Sequence, residues 1–483
     1  MYYSNRLKVV SFKKVNPGAK IHYHYRIKSK TSSALPFSGT HVFQGNFPIE
    51  KTTFSLFLPD TINLAFNIEP DKKTKEENYI CYIWERENLP RIKDYEYRPP
   101  YSYIAEELVF SSATSWEEMG ASIYEIIKEE INPIKRTKEI DKMFDFVKTA
   151  IRTIDINLSL LGSGTFSSKE IIKNKYAAPR DKNTLFISLL KGAGFNAFPA
   201  FISMGSLDKE KLHETLPTLS PFFHLAAAID TGNSLLFLDP SCESCPSNYI
   251  DFEGKTAWII KEDTSYFYTV PKSDNNKISV KSLYDISNEG DLKAKITTDI
   301  TGYFFQSFQW LDKEKKNIQK KFLENLLSEI SISARADTME LEITKKKAQI
   351  KLSFESPKYA PRQGKYITMK LINNIKTFLP FSSTIDSEDR VYPYYFDFSN
   401  AELEERTIIL YPENFKLEHH PENMELSGDG YLFNMESASK EGQIRIVRKA
   451  LYTKRIISEK TNVARDISKF LDESTLGLLF VEK

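Results

Sequence analysis

Only three of the 483 residues are cysteine, too few for a disulfide framework to hold the fold together. Long apolar runs are also missing. The longest are pieces such as Leu235-Leu236-Phe237-Leu238, against roughly 18 residues for a membrane-spanning helix, so no transmembrane helix is expected. Charge of one sign is absent too. Sixty-six Lys and Arg face sixty-five Asp and Glu, a net charge of +1, which disfavours nucleic acid as a partner. The start, Met1-Tyr2-Tyr3-Ser4-Asn5-Arg6, lacks the basic and apolar regions of a secretory signal.

What is present indicates folded, multidomain protein. Hydrophobic residues make up 41%, charged residues 27% and aromatics 13%, including 25 Tyr and 33 Phe, which is the composition of chains that bury cores. At about 150 residues per domain the length suggests roughly three domains.

Residues 7–104 read mostly as strand, with alternation at 21–27, 52–58 and 80–84 between Pro, Gly and Asn punctuation. The character changes at Ser115-Trp116-Glu117-Glu118, a capping-box pattern followed by Met119, Ile123, Ile126, Ile127 and Ile131 at helical spacing. A second helical face runs from Ile140 through Met143, Phe144, Val147 and Ile151 to Ile154, a third helix opens at Ser167, and a fourth spans 181–191. Strands are then expected at 195–202, 222–229 and 234–238. Beyond residue 278 strand patterns resume at 291–301, 338–343, 349–354, 407–411 and 443–447, with helices at 312–330 and 462–471. The expected class is therefore α+β and multidomain: an N-terminal antiparallel β domain (1–110), a central α+β core (111–275) and a C-terminal β-sandwich-like domain (276–483).

One constellation could carry chemistry. A thiol at the first turn of a buried helix has its pKa lowered by the positive end of the dipole, and a His on one strand with an Asp on the next then serve as base and orienter. Tyr176-Ala177-Ala178-Pro179-Arg180-Asp181 opens such a helix, His224 lies in Phe222-Phe223-His224-Leu225, and Asp239 lies in Leu238-Asp239-Pro240. From residue 146 to 240 the chain resembles the transglutaminase-like superfamily of papain-like fold. Tyr176, Asp181, Leu185, Leu189, Leu190, Gly194 and Ala197 match its frame, and His224 and Asp239 fall on its His and Asp. The family's cysteine falls on Pro179. Proline offers no nucleophile and no N–H for an oxyanion, only a good helix start.

The flanks add to the resemblance. Val15-Asn16-Pro17-Gly18-Ala19, Phe43-Gln44-Gly45-Asn46-Phe47-Pro48 and Trp84-Glu85-Arg86-Glu87-Asn88-Leu89-Pro90 look like the β domain of unknown function that precedes this core in exported bacterial proteins. Arg390-Val391-Tyr392-Pro393 and Leu410-Tyr411-Pro412 look like the β domain that follows it. The resemblance implies the bacterial cell envelope, whereas this chain carries no signal and enters the first domain partway, so its true start is expected upstream.

Other features have blander readings. Cys242 and Cys245 form a C-x-x-C that could be a disulfide, half a zinc site or a displaced nucleophile; zinc would need two further ligands, and a loop thiol lacks the helix dipole. Thr184 lies near the helix start but a turn too deep, and Asp181 adjoins the lost position. The pairs His22/His24 and His419/His420 read as solvated, the lysine runs at 313–316 and 345–347 as a wet helix face and a hairpin turn, and Gly162-Ser163-Gly164 as a turn.

The resulting expectation is a catalytically inactive transglutaminase-like binding or scaffold protein, needing no cofactor or metal, with a peptide, polysaccharide or protein as partner and His224 and Asp239 as a remnant dyad. The alternative is an active cysteine protease or amidase using Cys242 or Cys245 against His224.

Overall fold

The computed structural model describes residues 11, 15–22, 35–154, 166–203, 212–243, 245, 250–272, 276–379, 390–398, 400–458, 462–473 and 476–483. The chain is rich in β structure and divides into two compact units. The first comprises residues 1–90, 105–243 and 255–269; the second comprises 91–104, 244–254 and 270–483. Of the pattern expected at 21–27, Ile21 and His22 are exposed and outside any strand, and His24 lies outside the described residues.

In the first unit, strands Ile49–Pro59, Tyr79–Leu89 and Lys72–Glu76 form one antiparallel sheet, and Ser38–Val42, Glu107–Ser111 and Ala65–Phe66 form another. Leu56, Tyr82, Trp84 and Phe110 of these strands, with Phe43 just past the end of Ser38–Val42, make one core in which the Trp84 indole donates to Ile68 O. A five-stranded antiparallel sheet follows, in the order Leu235–Leu238, Phe222–Asp230, Ala197–Ser203, Thr256–Ile260, Ser265–Thr269. The last two strands lie outside the strands expected from the sequence.

Two helices anchor to that sheet. Helix Trp116–Ile127 is capped by Ser115, whose hydroxyl accepts from Glu118 N, while the Glu118 carboxylate reaches Thr114 instead of closing the box on Ser115. Trp116 packs edge-on against Trp258 and Phe267, each 5.0 Å away between ring centres, contacts worth about 0.5–1.5 kcal/mol apiece beyond their burial. Gly120 is required for this approach, since a Cβ there would sit 2.2 Å from Ser265 Oγ. The second helix, Pro179–Gly192, packs against Phe222–Asp230 and Ala197–Ser203 and buries every residue from Arg180 to Leu190.

The helical face expected to run to Ile154 ends earlier. Helix Ile140–Asp145 continues as a π-helical turn over Phe146–Ala150, where the Thr149 hydroxyl donates to Asp145 O one turn back. Arg152 and Thr153 then pair in parallel with Tyr176 and Ala177. Helix Ser168–Asn174, with a complete capping box between Ser167 and Glu170, leads into that pairing.

The second unit is built on an eight-stranded sheet in the order Arg335–Ile343, Lys347–Ser356, Leu292–Thr301, Lys277–Ile286, Ala401–Leu410, Gln443–Tyr452, Tyr431–Lys440, Met424–Gly428. All its pairings are antiparallel except the central one, Lys277–Ile286 with Ala401–Leu410. A four-stranded sheet (Arg362–Gln363, Tyr366–Lys370, Gly477–Glu482, Phe415–His419) and helices Lys316–Ile330 and Val463–Glu473 complete it. Glu405 and Arg448 form a fully buried ion pair, with Nη1 2.8 Å from Oε2. The Asn374 side-chain amide donates to Glu405 and Arg448 donates to Ile372 O at 3.0 Å, so neither charge is left with the other as its one partner. No helix among the described residues is long and apolar enough to cross a membrane.

Candidate active site

The site is set by one helix and two strands of the first unit. Pro179 occupies the first position of helix Pro179–Gly192, where its fixed φ suits helix initiation and its missing N–H costs nothing. Ala178, the capping residue, supplies no side-chain hydrogen bond to the helix start. Leu238 ends the strand that pairs with Ala227, and Asp239 follows it directly. His224 lies on the paired strand beside a register shift between Phe222 and His224, which leaves Phe223 turned outward and 68% exposed.

The structure brings His224 and Asp239 together. His224 Nε2 lies 2.7 Å from Asp239 Oδ2; the imidazole is 20% exposed and the carboxylate 2%. The other carboxylate oxygen, Oδ1, accepts from Asn183 Nδ2 at 2.8 Å, Ser241 N at 2.9 Å and Ser241 Oγ at 2.6 Å. Burial alone would raise this carboxyl's pKa, but the His224 charge and the hydrogen bonds from His224, Ser241 and Asn183 outweigh it and hold Asp239 well below the ordinary carboxylate range. Asp239 is therefore a standing anion, and Nε2 of His224 carries the hydrogen directed at it.

Asn183 and Ser241 belong to this arrangement although the sequence reading passed over both. Asn183 stands four residues after Pro179, one helical turn on, and its amide also reaches Pro179 O at 3.3 Å. Its Oδ1 is buried and finds no partner among the described residues. Position i+4 from the helix start was the available signal.

The remaining polar residues of the first turns face other partners. Arg180 pairs with Glu130 and with Asp181, and the Asp181 carboxylate accepts from Phe166 N at 3.2 Å. Lys182 is fully buried and donates to Thr153 Oγ1 at 3.0 Å and Lys148 O at 3.3 Å. Thr184 is 2% exposed and donates back to Arg180 O, so its hydroxyl is spent within the helix.

Cys242 and Cys245 are both disulfide-bonded, so neither presents a thiol to His224. The alternative in which one of them attacks is corrected on this point: its nucleophile is already consumed in an S–S bond. Cys81 is the free cysteine, on a strand of the N-terminal sheet. His420 Nδ1 is engaged with Ser437 Oγ and Pro421 O, and His419 is exposed at a strand end. Among the described residues no three His, Cys, Asp or Glu side chains converge as a metal site would require.

The comparisons agree with this architecture. Residues 1–93 match a family described as a domain of unknown function with a solved structure, DUF3857. The fold resembles the crystal structure of a "putative protease" from Parabacteroides distasonis, with a TM-score of 0.59 at 13% identity over 94% of this chain and 76% of that one. A "putative cysteine protease" from Cytophaga hutchinsonii aligns over 49% of this chain and 81% of its own at 10% identity, with a TM-score of only 0.20, too low to carry an argument. No curated protein matches the chain. At these identities the first likeness speaks for the fold alone.

Proposed function

We propose that the first unit carries a transglutaminase-like α+β core that has lost its nucleophile and works as a binding module for peptide or polysaccharide chains. In this reading residues 1–110 form the preceding β domain, 111–275 the core and 276–483 the following β domain. The observation that carries it is Pro179: it opens the buried helix whose Asn183 grips Asp239, the position at which a cysteine would complete a Cys-His-Asp site, and it has neither thiol nor hydroxyl. The His224–Asp239 pair is then the remnant dyad, kept for its contribution to the fold and as a polar contact for a bound chain. The disulfide at Cys242 and Cys245 supports the loss of chemistry.

The test is to restore the thiol. In a Pro179→Cys variant of the full chain, alkylation by iodoacetamide at pH 7 is followed by intact-mass spectrometry, with the free Cys81 as internal reference. The reading expects the new cysteine to react about tenfold faster than Cys81, and to lose that advantage when His224→Ala is added. A thiol at 179 that reacts no faster than Cys81, or that ignores His224, would overturn the assignment.

A further inference from the structure

The second unit contains a cavity unrelated to this dyad. Between the last turns of helix Lys316–Ile330 and strands Leu292–Thr301 and Lys347–Ser356 lies an open hollow of about 250 Å³. Ile296, Ile350 and Leu352 line it from the sheet, Leu326 and Ile330 from the helix, and Phe378 from the segment after strand Tyr366–Lys370. A concave, largely apolar hollow with a few polar groups at its edge is the form that small-molecule sites take.

Its polar groups are distributed unevenly. Asn374 reaches the wall from within, but its amide is committed to Glu405, and Glu405 is matched by Arg448. The inner wall is thus polar yet already neutralised, with no unmet charge to recruit a cation. At the rim stand Lys370, Lys376 and Glu329, all exposed, and among the described residues neither lysine has an ion-pair partner. The Lys370 end of its strand is fixed by the Tyr359 hydroxyl, which donates to Lys370 O at 3.1 Å. The rim therefore carries net positive charge over an apolar interior.

We infer that this cavity is a binding site for a small amphiphile of the carboxylate class, its aliphatic body between Leu326, Ile350 and Leu352 and its anionic head at Lys370 and Lys376. At about 30 Å³ per group the volume admits a body of roughly eight carbons. The site is independent of the reading given for the first unit.

The probes are octanoate, 1-octanol and octylammonium, titrated calorimetrically into the full chain. Octanoate is expected to bind roughly fivefold more tightly than octylammonium, the difference that solvent-exposed charges supply. Lys376→Glu, on an exposed side chain that leaves the core intact, should weaken octanoate roughly fivefold and strengthen octylammonium. Leu326→Trp should fill the hollow and abolish binding of all three. No octanoate binding at millimolar concentration, equal affinities for the three probes, or indifference to Lys376→Glu would each overturn the inference. If Leu326→Trp does not fold, the Lys376→Glu comparison decides alone.

Discussion

Replacing Asp239 with alanine should cost the first unit about 4–5 kcal/mol at pH 7. The carboxylate is 2% exposed and receives side-chain bonds from His224, Asn183 and Ser241, together with Ser241 N. Hydrogen bonds to a charged group contribute about 1.5–3 kcal/mol each, so the three side-chain bonds alone give about 4.5 kcal/mol at the lower figure, which applies because the Asn183 amide keeps Pro179 O and Ser241 Oγ as fallback acceptors and Ser241 N can turn to water. Asp239→Asn should cost about half as much, since an amide oxygen still serves Asn183 and Ser241 while the imidazole changes tautomer to accept from the amide N–H. The pH dependence has a definite sign. The folded-state pKa of Asp239 is depressed, so its contribution is fully present above the unfolded value near 3.9 and is lost as pH falls towards the folded one. The gap between wild type and Asp239→Ala should be narrower at pH 3 than at pH 5. Urea unfolding followed by tryptophan emission reads this unit, because Trp84, Trp116 and Trp258 lie within it, whereas Trp310 in the other unit is 51% exposed. A cost below about 1 kcal/mol at pH 7, or a gap that does not narrow between pH 5 and 3, would refute the account of the site.

Two further expectations concern packing. Arg448→Met leaves Glu405 charged and buried, and should lower the second unit's stability by about 3–5 kcal/mol in urea titrations followed by circular dichroism. Adding Glu405→Leu should recover part of that loss, and a double variant as costly as the two singles combined would refute the pairing. Gly192→Ala ordinarily favours a helix, yet a Cβ there would lie 2.2 Å from the Ile134 carbonyl oxygen, so the variant should lower the thermal midpoint instead of raising it.

The legible parts of the chain were those where one local rule decided the outcome. Ser115 and Ser167 announced their helices because a hydroxyl satisfying orphan N–H groups is a short-range event. Short apolar runs bounded by turn residues likewise located Phe222–Asp230 and Leu235–Leu238 to within a residue or two. Thr256–Ile260 escaped notice because it is buried throughout and shows no alternation, as does the polar opening of helix Pro179–Gly192, where Arg180, Asp181, Lys182 and Asn183 all lie inside. The resemblance marked that run as the start of a buried helix, but its partners Glu130, Phe166, Thr153 and Asp239 come from distant parts of the sequence and had no local signal. The candidate site was legible as residue types, His224 and Asp239, but its clamp of Asn183 and Ser241 is a tertiary fact.

The parallel pairing at the centre of the eight-stranded sheet governs the order in which the second unit can be completed. Lys277–Ile286 joins its hairpin partner Leu292–Thr301 at once, but its other edge waits for Ala401–Leu410, more than a hundred positions later. During synthesis the half-sheet ending at Lys277–Ile286 emerges from the ribosome with that edge open, including the apolar positions Ile278, Val280 and Tyr284 that the finished sheet buries. Expression fragments that stop before residue 401 should therefore self-associate, so this unit can be dissected only by keeping residues 277–410 together.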